Sequence, residues 1–289
     1  MNRTLRRLGG IGLVVAGLVL AWTGAQAAGG GSFGGDPSFV VYEDWTSAPT
    51  MRPDRWLAID NGALDVTRHV KGHALVMHSR REGGTASDVG FAGARHRLVF
   101  SNPTAIDRIG VIVDVERLAA SACATNPGQP SLGYTAITLN RFNDGSGGPG
   151  NMTGDHLLSV NAYRDTNSTD SDGVLRFRGV ILRCIDAVCS NAFSIPGGVV
   201  DLPTTAQVGT PFALRVVWDS ANNQIFVGAG DDPDVAIPYP AQVNQQAAGG
   251  PFADIRTQLV AANCTSGQTV TDTTLAVHDV FTNASAIIP

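Results

Sequence analysis

The chain has 289 residues, 43% of them hydrophobic and 16% charged, which is enough apolar material for a large core and excludes a disordered chain. A formal net charge of −5, with one lysine (Lys71) among the basic residues, does not suit binding to nucleic acid or anionic lipid. The first residues carry Arg3, Arg6 and Arg7, then the apolar run Leu8–Trp22, then Ala25-Gln26-Ala27 as a small-x-small cleavage site. This is the three-part pattern of a secretory signal peptide over residues 1–27, and the apolar run falls short of the ~20 residues of a spanning helix. The expectation is a secreted or periplasmic protein with no membrane span in the mature chain. Residues 28–38 are Gly-rich and read as a flexible lead-in to a single domain over 39–289.

Strands are expected at Phe39–Trp45, Trp56–Ile59, Ala63–His69, Ala74–Ser79 and Ala94–Phe100, separated by Pro49, Pro53, Asp60-Asn61-Gly62 and the polar run Arg80–Gly90. Arg108–Arg117 alternates cleanly, with Val111, Val113 and Val115 on one face and Ile112, Asp114 and Glu116 on the other. Gly133–Asn143, His156–Arg164 and Val174–Cys184 continue the pattern. A turn is expected through Ser194–Gly198, and loops over Asp231–Pro240 and Gln242–Gly250. In Phe212–Asp219 the residues Phe212, Leu214, Val216 and Trp218 share an apolar face. Ser220–Asn223 then supply turn chemistry and Ile225–Val227 return, making a hairpin. Phe252–Ala262 and Thr273–Thr282 close the chain as strands. About a dozen short strands without heptads or repeats predict an all-β sandwich or barrel, with Trp218 and its alternate neighbours between the layers.

Asp44-Trp45 at the end of the first strand, Arg55-Trp56, the Asn61-Gly62 turn, Leu214-Arg215-Val216-Val217-Trp218-Asp219 with Asn222-Asn223, and His278-Asp279-Val280 follow an order that resembles the concanavalin A-like lectin/glucanase (laminin G-like) jelly rolls. The resemblance covers most of the mature chain. It implies a two-sheet antiparallel jelly-roll sandwich, one sheet concave, with the first and last strands adjacent. Glucanase members carry Glu-x-Asp-x-Glu on one strand, and the nearest match here is Ile112-Val113-Asp114-Val115-Glu116, in which Ile112 replaces the nucleophile. Double displacement needs both carboxylates. The resemblance without that nucleophile implies a non-catalytic exported module that recognises a carbohydrate or cell-surface protein. Asp114 and Glu116 are the weak catalytic candidates of the alternatives, a glycoside hydrolase or polysaccharide lyase with an atypical site. A purely structural envelope protein is the third reading.

Four cysteines after a signal peptide allow three pairings. Cys184 and Cys189 bracket four residues at a turn, which favours Cys184–Cys189 and hence Cys123–Cys264; zinc has only a lone C-x4-C. Trp45, Trp56, Tyr134 and Tyr163 are candidate stacking platforms for a sugar, against the ordinary reading of core packing. Asp165, Asn167, Asp170 and Asp172 place oxygens at alternating loop positions suited to calcium, against the ordinary reading that Asp and Asn make turns. Asp231, Asp232 and Asp234 form a second acidic group. His69 and His73 are four apart, but the β pattern around them argues against a helical metal pair.

Overall fold

A computed structural model describes residues 38–46, 50–62 and 65–286. The expected signal peptide over 1–27 and nearly all of the Gly-rich lead-in lie outside these residues. Fifteen strands run in chain order: β1 Val40–Glu43, β2 Trp56–Asn61, β3 Asp65–Lys71, β4 Ala74–Glu82, β5 Phe91–Phe100, β6 Arg108–Ala120, β7 Leu132–Asn143, β8 Asp155–Asp165, β9 Val174–Cys184, β10 Ala192–Gln207, β11 Phe212–Asp219, β12 Gln224–Ala229, β13 Val235–Pro238, β14 Gln246–Ala262 and β15 Val270–Thr282. No helix among the described residues is long and apolar enough to cross a membrane.

The strands form two antiparallel sheets. One has the order β13-β12-β11-β6-β15-β4-β3, with β1 pairing the far end of β15, so that first and last strands are neighbours. The other has the order β10-β9-β8-β7-β14-β5-β2. Period-2 alternation fills the space between them: Val111, Val113 and Val115 of β6 and Leu275, Val277 and Val280 of β15 meet Ile137 and Leu139 of β7 and Leu158 and Val160 of β8.

The hairpin read from Phe212 onward is β11–β12, with Trp218 opposite Ile225. Asn223 takes φ 51°, the left-handed conformation that Asn tolerates best among non-glycine residues. Phe212, Leu214 and Val216 are buried in the core. Trp218 packs at its margin, where it stacks on Phe142 at 5.7 Å and its Nε1–H donates to Tyr239 Oη at 2.7 Å.

Three expected loops are strand. Ser194–Gly198 lies within β10, Val235–Pro238 is β13, and β14 begins at Gln246 rather than Phe252. The first and third are irregular strands: the pairing of β10 with β9 slips between Ser194 and Val199, and that of β14 with β7 slips between Ala247 and Phe252. Such bulges carry Gly and Pro inside a strand, which is why those stretches read as turns.

Both expected disulfides are present, Cys123–Cys264 and Cys184–Cys189. The first ties the loop after β6 to the end of β14. Asp88 completes that junction by accepting from the Thr265 amide and from the Thr125 and Thr265 hydroxyls.

Candidate functional site

The outer face of the seven-stranded sheet carries a cleft. Strand β14 places Ala253 and Ile255 in the core, so Asp254, Arg256 and Gln258 point outward. Pairing then sets their neighbours. Gln258 lies between Arg95 of β5 and Tyr134 of β7, and Arg256 between Arg97 and Ala136. The rows continue outward: Tyr134 faces Tyr163 and Ala136 faces Asn161 on β8, and these face Arg176 and Arg178 on β9. With strands about 4.8 Å apart, residues distant in sequence become a continuous polar surface.

Two of three neighbouring guanidinium groups share one carboxylate at the head of this surface. Asp254 is 0% exposed and accepts from Arg97 Nε at 2.5 Å, Arg256 Nε at 2.8 Å and Arg256 Nη2 at 2.9 Å. The Arg97 and Arg256 guanidiniums lie over the Phe252 ring, at 4.4 and 5.4 Å from its centre. Arg95 has no carboxylate within ion-pair distance among the described residues; its Nε donates to Gln258 Oε1 at 3.2 Å. Burial, and then the neighbouring Arg256 and Arg97, lower the Arg95 pKa, the signature of a cation short of counter-charge. Tyr134 Oη donates to the same Gln258 oxygen at 2.6 Å. Burial raises the Tyr134 pKa against the opposing pull of Arg256 and Arg95, so the phenol stays protonated. On β8, Tyr163 Oη accepts from Arg178 Nη2 at 3.0 Å.

Arg95, Arg97, Tyr134, Arg256 and Gln258 line a cavity of about 300 Å³, walled by Met152, Phe252 and the loop closed by Cys184–Cys189; Tyr163 stands beside it, on a neighbouring hollow. That loop is rigidly held. The Asp186 carboxylate accepts the amides of Val188, Ser190 and Asn191 and the Ser190 hydroxyl, and these bonds hold its pKa well below the usual carboxylate range. Met152 N–H donates to Ala187 C=O at 3.0 Å, pinning the loop to the β7–β8 connection. A recess of about 30 Å³ adjoins the cavity over Ala136.

The residues singled out from sequence divide between the two sheets. Tyr134 and Tyr163 stand on the cleft face. Trp45 and Trp56 do not: both are 2% exposed and stack on each other at 5.9 Å, so they are core packing rather than sugar platforms. Asp114 and Glu116 alternate as expected against buried Val113 and Val115, but on β6, which belongs to the other sheet; they point away from the core on the side opposite the cleft, with Ile112. Burial, with help from Glu116, raises the Asp114 pKa. In the acidic loop, Asp170 is engaged by Arg176, Asp172 lies 3.5 Å from Arg164 Nη2, and Asp165 Oδ1 accepts the Asn167 amide at 2.8 Å. Asp234 pairs with Arg215. His69 lies in β3 and His73 in the following turn with φ 65°. Asp88, Cys123 and Cys264 are close enough to hold a metal, but both cysteines are oxidised to the disulfide.

The cleft residues absent from the sequence expectations are Arg95, Arg97, Asp254, Arg256 and Gln258. Their signal was present as charged residues at alternate positions in two otherwise apolar strands, Ala94–Phe100 and Phe252–Ala262.

No protein-family model matches the sequence, and no curated protein matches it. Solved structures do resemble it. SCLam, a non-specific endo-β-1,3(4)-glucanase from family GH16, aligns with a TM-score of 0.45 at 8% identity, over 86% of this chain and 92% of that one. The catalytic domain of an endo-1,3-β-glucanase (laminarinase) from Thermotoga petrophila aligns with a TM-score of 0.43 at 11% identity, over 85% and 98%. The Crh5 transglycosylase aligns with a TM-score of 0.43 at 12% identity, over 89% and 86%. The fold shared with them is an all-β sandwich of two antiparallel sheets, the plan that the concanavalin A-like resemblance implies. The expectation of a non-catalytic binding module is corrected: the solved structures of like fold are glucanases and a transglycosylase, not binding modules.

Proposed function

We propose that the protein is an exported polysaccharide-cleaving enzyme that acts on a uronate-containing glycan by β-elimination. The observation that carries this is the cluster of Arg95, Arg97 and Arg256 around a single carboxylate in a walled cleft, on a chain that is otherwise acidic. Two disulfides fit an oxidising compartment. Hydrolysis by the two-carboxylate route does not suit this cleft, because no carboxylate lines the cavity and Asp254 is buried beneath its arginines.

β-Elimination asks for different groups, and they are here. Arg95 and the Gln258 amide bind the uronate carboxylate, which draws charge from it and acidifies the adjacent C5–H. The Tyr163 phenolate, with Arg178 Nη2 3.0 Å from its oxygen, takes that proton. The C5–H electron pair becomes the C4=C5 double bond as the C4–O4 bond breaks. Tyr134, kept protonated by burial, releases its bond to Gln258 and gives its proton to O4. Proton exchange with water then removes the proton from Tyr163 and returns one to Tyr134.

Incubation with a panel of polyuronates, followed by the ultraviolet absorbance of the unsaturated product, tests the reading. Tyr134→Phe is expected to lower kcat by about 100-fold or more. Products whose new non-reducing ends are saturated, or full activity in Tyr134→Phe, would refute it.

A further inference from the structure

The cleft floor is divided. Its β5–β14 side is cationic, whereas the end of β8–β9 next to the Cys184–Cys189 loop is apolar: Leu157 and Leu182 face each other across the strands, and Val180 lies beside them. The disulfide loop adds Val188, 76% exposed, above this patch. Solvent-facing positions of an antiparallel sheet are ordinarily polar, so an apolar patch here, next to arginines, needs an occupant with both characters.

We propose that the glycan taken by this cleft carries a short acyl ester, of acetyl size, on the sugar ring whose carboxylate binds Arg95. This rests on the acidic-glycan reading of the same cleft. The recess of about 30 Å³ over Ala136 holds the acyl methyl against Leu157, Leu182 and Val180. It is too small for a long chain, since one water molecule already claims a share of about 30 Å³. Asn161 stands at its polar side. The Asn161 Oδ1 accepts from Ser159 Oγ at 2.9 Å, which leaves the Asn161 Nδ2–H groups to donate to the ester carbonyl. An unsubstituted polyuronate would leave the recess between Leu157, Leu182 and Val180 to water. An uncharged acylated sugar would leave Arg95 without an anion.

Titration calorimetry with uronate oligosaccharides prepared from one acetylated polymer, before and after saponification, reads the difference directly. The acetylated form is expected to bind the full chain about 10-fold or more tightly, the discrimination a buried methyl gives. Asn161→Asp and Val180→Asp, each at the recess, are expected to bring that ratio toward one. Equal binding of both forms by the unaltered protein overturns the acyl site while leaving the acidic-glycan reading intact. Absence of binding by both forms overturns the two together. Self-association that Val188→Asp abolishes, without any change in the ratio, assigns the patch to a second copy of the chain and also overturns the acyl site.

Discussion

Asp254→Asn removes the one negative charge under the arginine cluster while keeping the shape of the side chain. The wild-type carboxylate is sealed from solvent and accepts three guanidinium N–H groups. Breaking a buried pair by removing one partner costs about 3–5 kcal/mol, because the remaining charge is stranded. Arg256 is 6% exposed and cannot escape, but Arg97 is 15% exposed and can turn toward the cleft, so the lower end, about 3 kcal/mol, applies. For an unfolding slope of about 3 kcal/mol/M in urea, the midpoint falls by about 1 M at constant slope. Replacing both members, Asp254→Leu with Arg256→Met, should recover part of the loss, since an isolated buried charge is the costly state and an apolar pair is not. A loss below about 1 kcal/mol for Asp254→Asn, or a double variant less stable than the sum of the singles, would mean that Asp254 does not hold the cluster. The argument for a fixed excess of positive charge in the cleft would then fail.

The two disulfides should differ in worth. In the chain-entropy picture, Cys123–Cys264, with a separation of 141, contributes about 5 kcal/mol, and Cys184–Cys189, with a separation of 5, about 2 kcal/mol. Paired Ser variants in denaturant titrations check the order, and a reversed order refutes it. Burial lowers the His96 pKa from 6.5 to about 4 and the His156 pKa in the same direction. Between pH 6.5 and 4 the unfolded chain therefore binds more protons, so stability falls as pH falls through that window, by up to ~3 kcal/mol for His96. Melting temperature against pH measures this, and His96→Gln should flatten the acid limb. Gly249→Ala would place a Cβ 2.0 Å from Asn151 C=O and 2.5 Å from Gly148 C=O, both backbone atoms. A loss of about 2 kcal/mol or more is expected in the same titration, and a neutral result would mean that the β7–β8 connection yields freely.

The strand plan was largely legible because it is local. Alternation within Phe212–Asp219 and Arg108–Arg117 fixed which side of each strand is buried, and the structure keeps those sides. The disulfides were legible because the Cys184–Cys189 turn is short and leaves one partner for Cys123. Trp45 and Trp56 follow the ordinary reading of core packing rather than the sugar-platform alternative, a choice that composition alone leaves open. Tyr42 and Phe100 complete that aromatic group, with Tyr42–Trp56 at 5.2 Å and Trp56–Phe100 at 4.5 Å. β10 and the start of β14 were read as turns because Gly and Pro mark bulges as readily as loops.

The cleft was harder to find for a reason that is not local. Asp114 and Glu116 drew attention as carboxylates at alternate positions of one strand, which any reading of a single strand can detect. Arg95 and Gln258 are 163 residues apart, Tyr134 and Gln258 are 124 apart, and neither pair is visible until β14 is known to lie between β5 and β7. What sequence does offer is a contrast between two kinds of alternation. On β6 the outward residues are Ile112, Asp114 and Glu116, and the last of these is exposed and solvated. On β14 they are Asp254, Arg256 and Gln258, flanked by Phe252-Ala253 and Leu259-Val260. Charges of opposite sign two positions apart in such a strand must be buried as a pair, and an arginine in the adjoining strand without its own carboxylate must find its anion elsewhere. Arg95 meets that condition, so the proposed preference of the cleft for an anion rests on the charges of β5 and β14, independently of any likeness of fold.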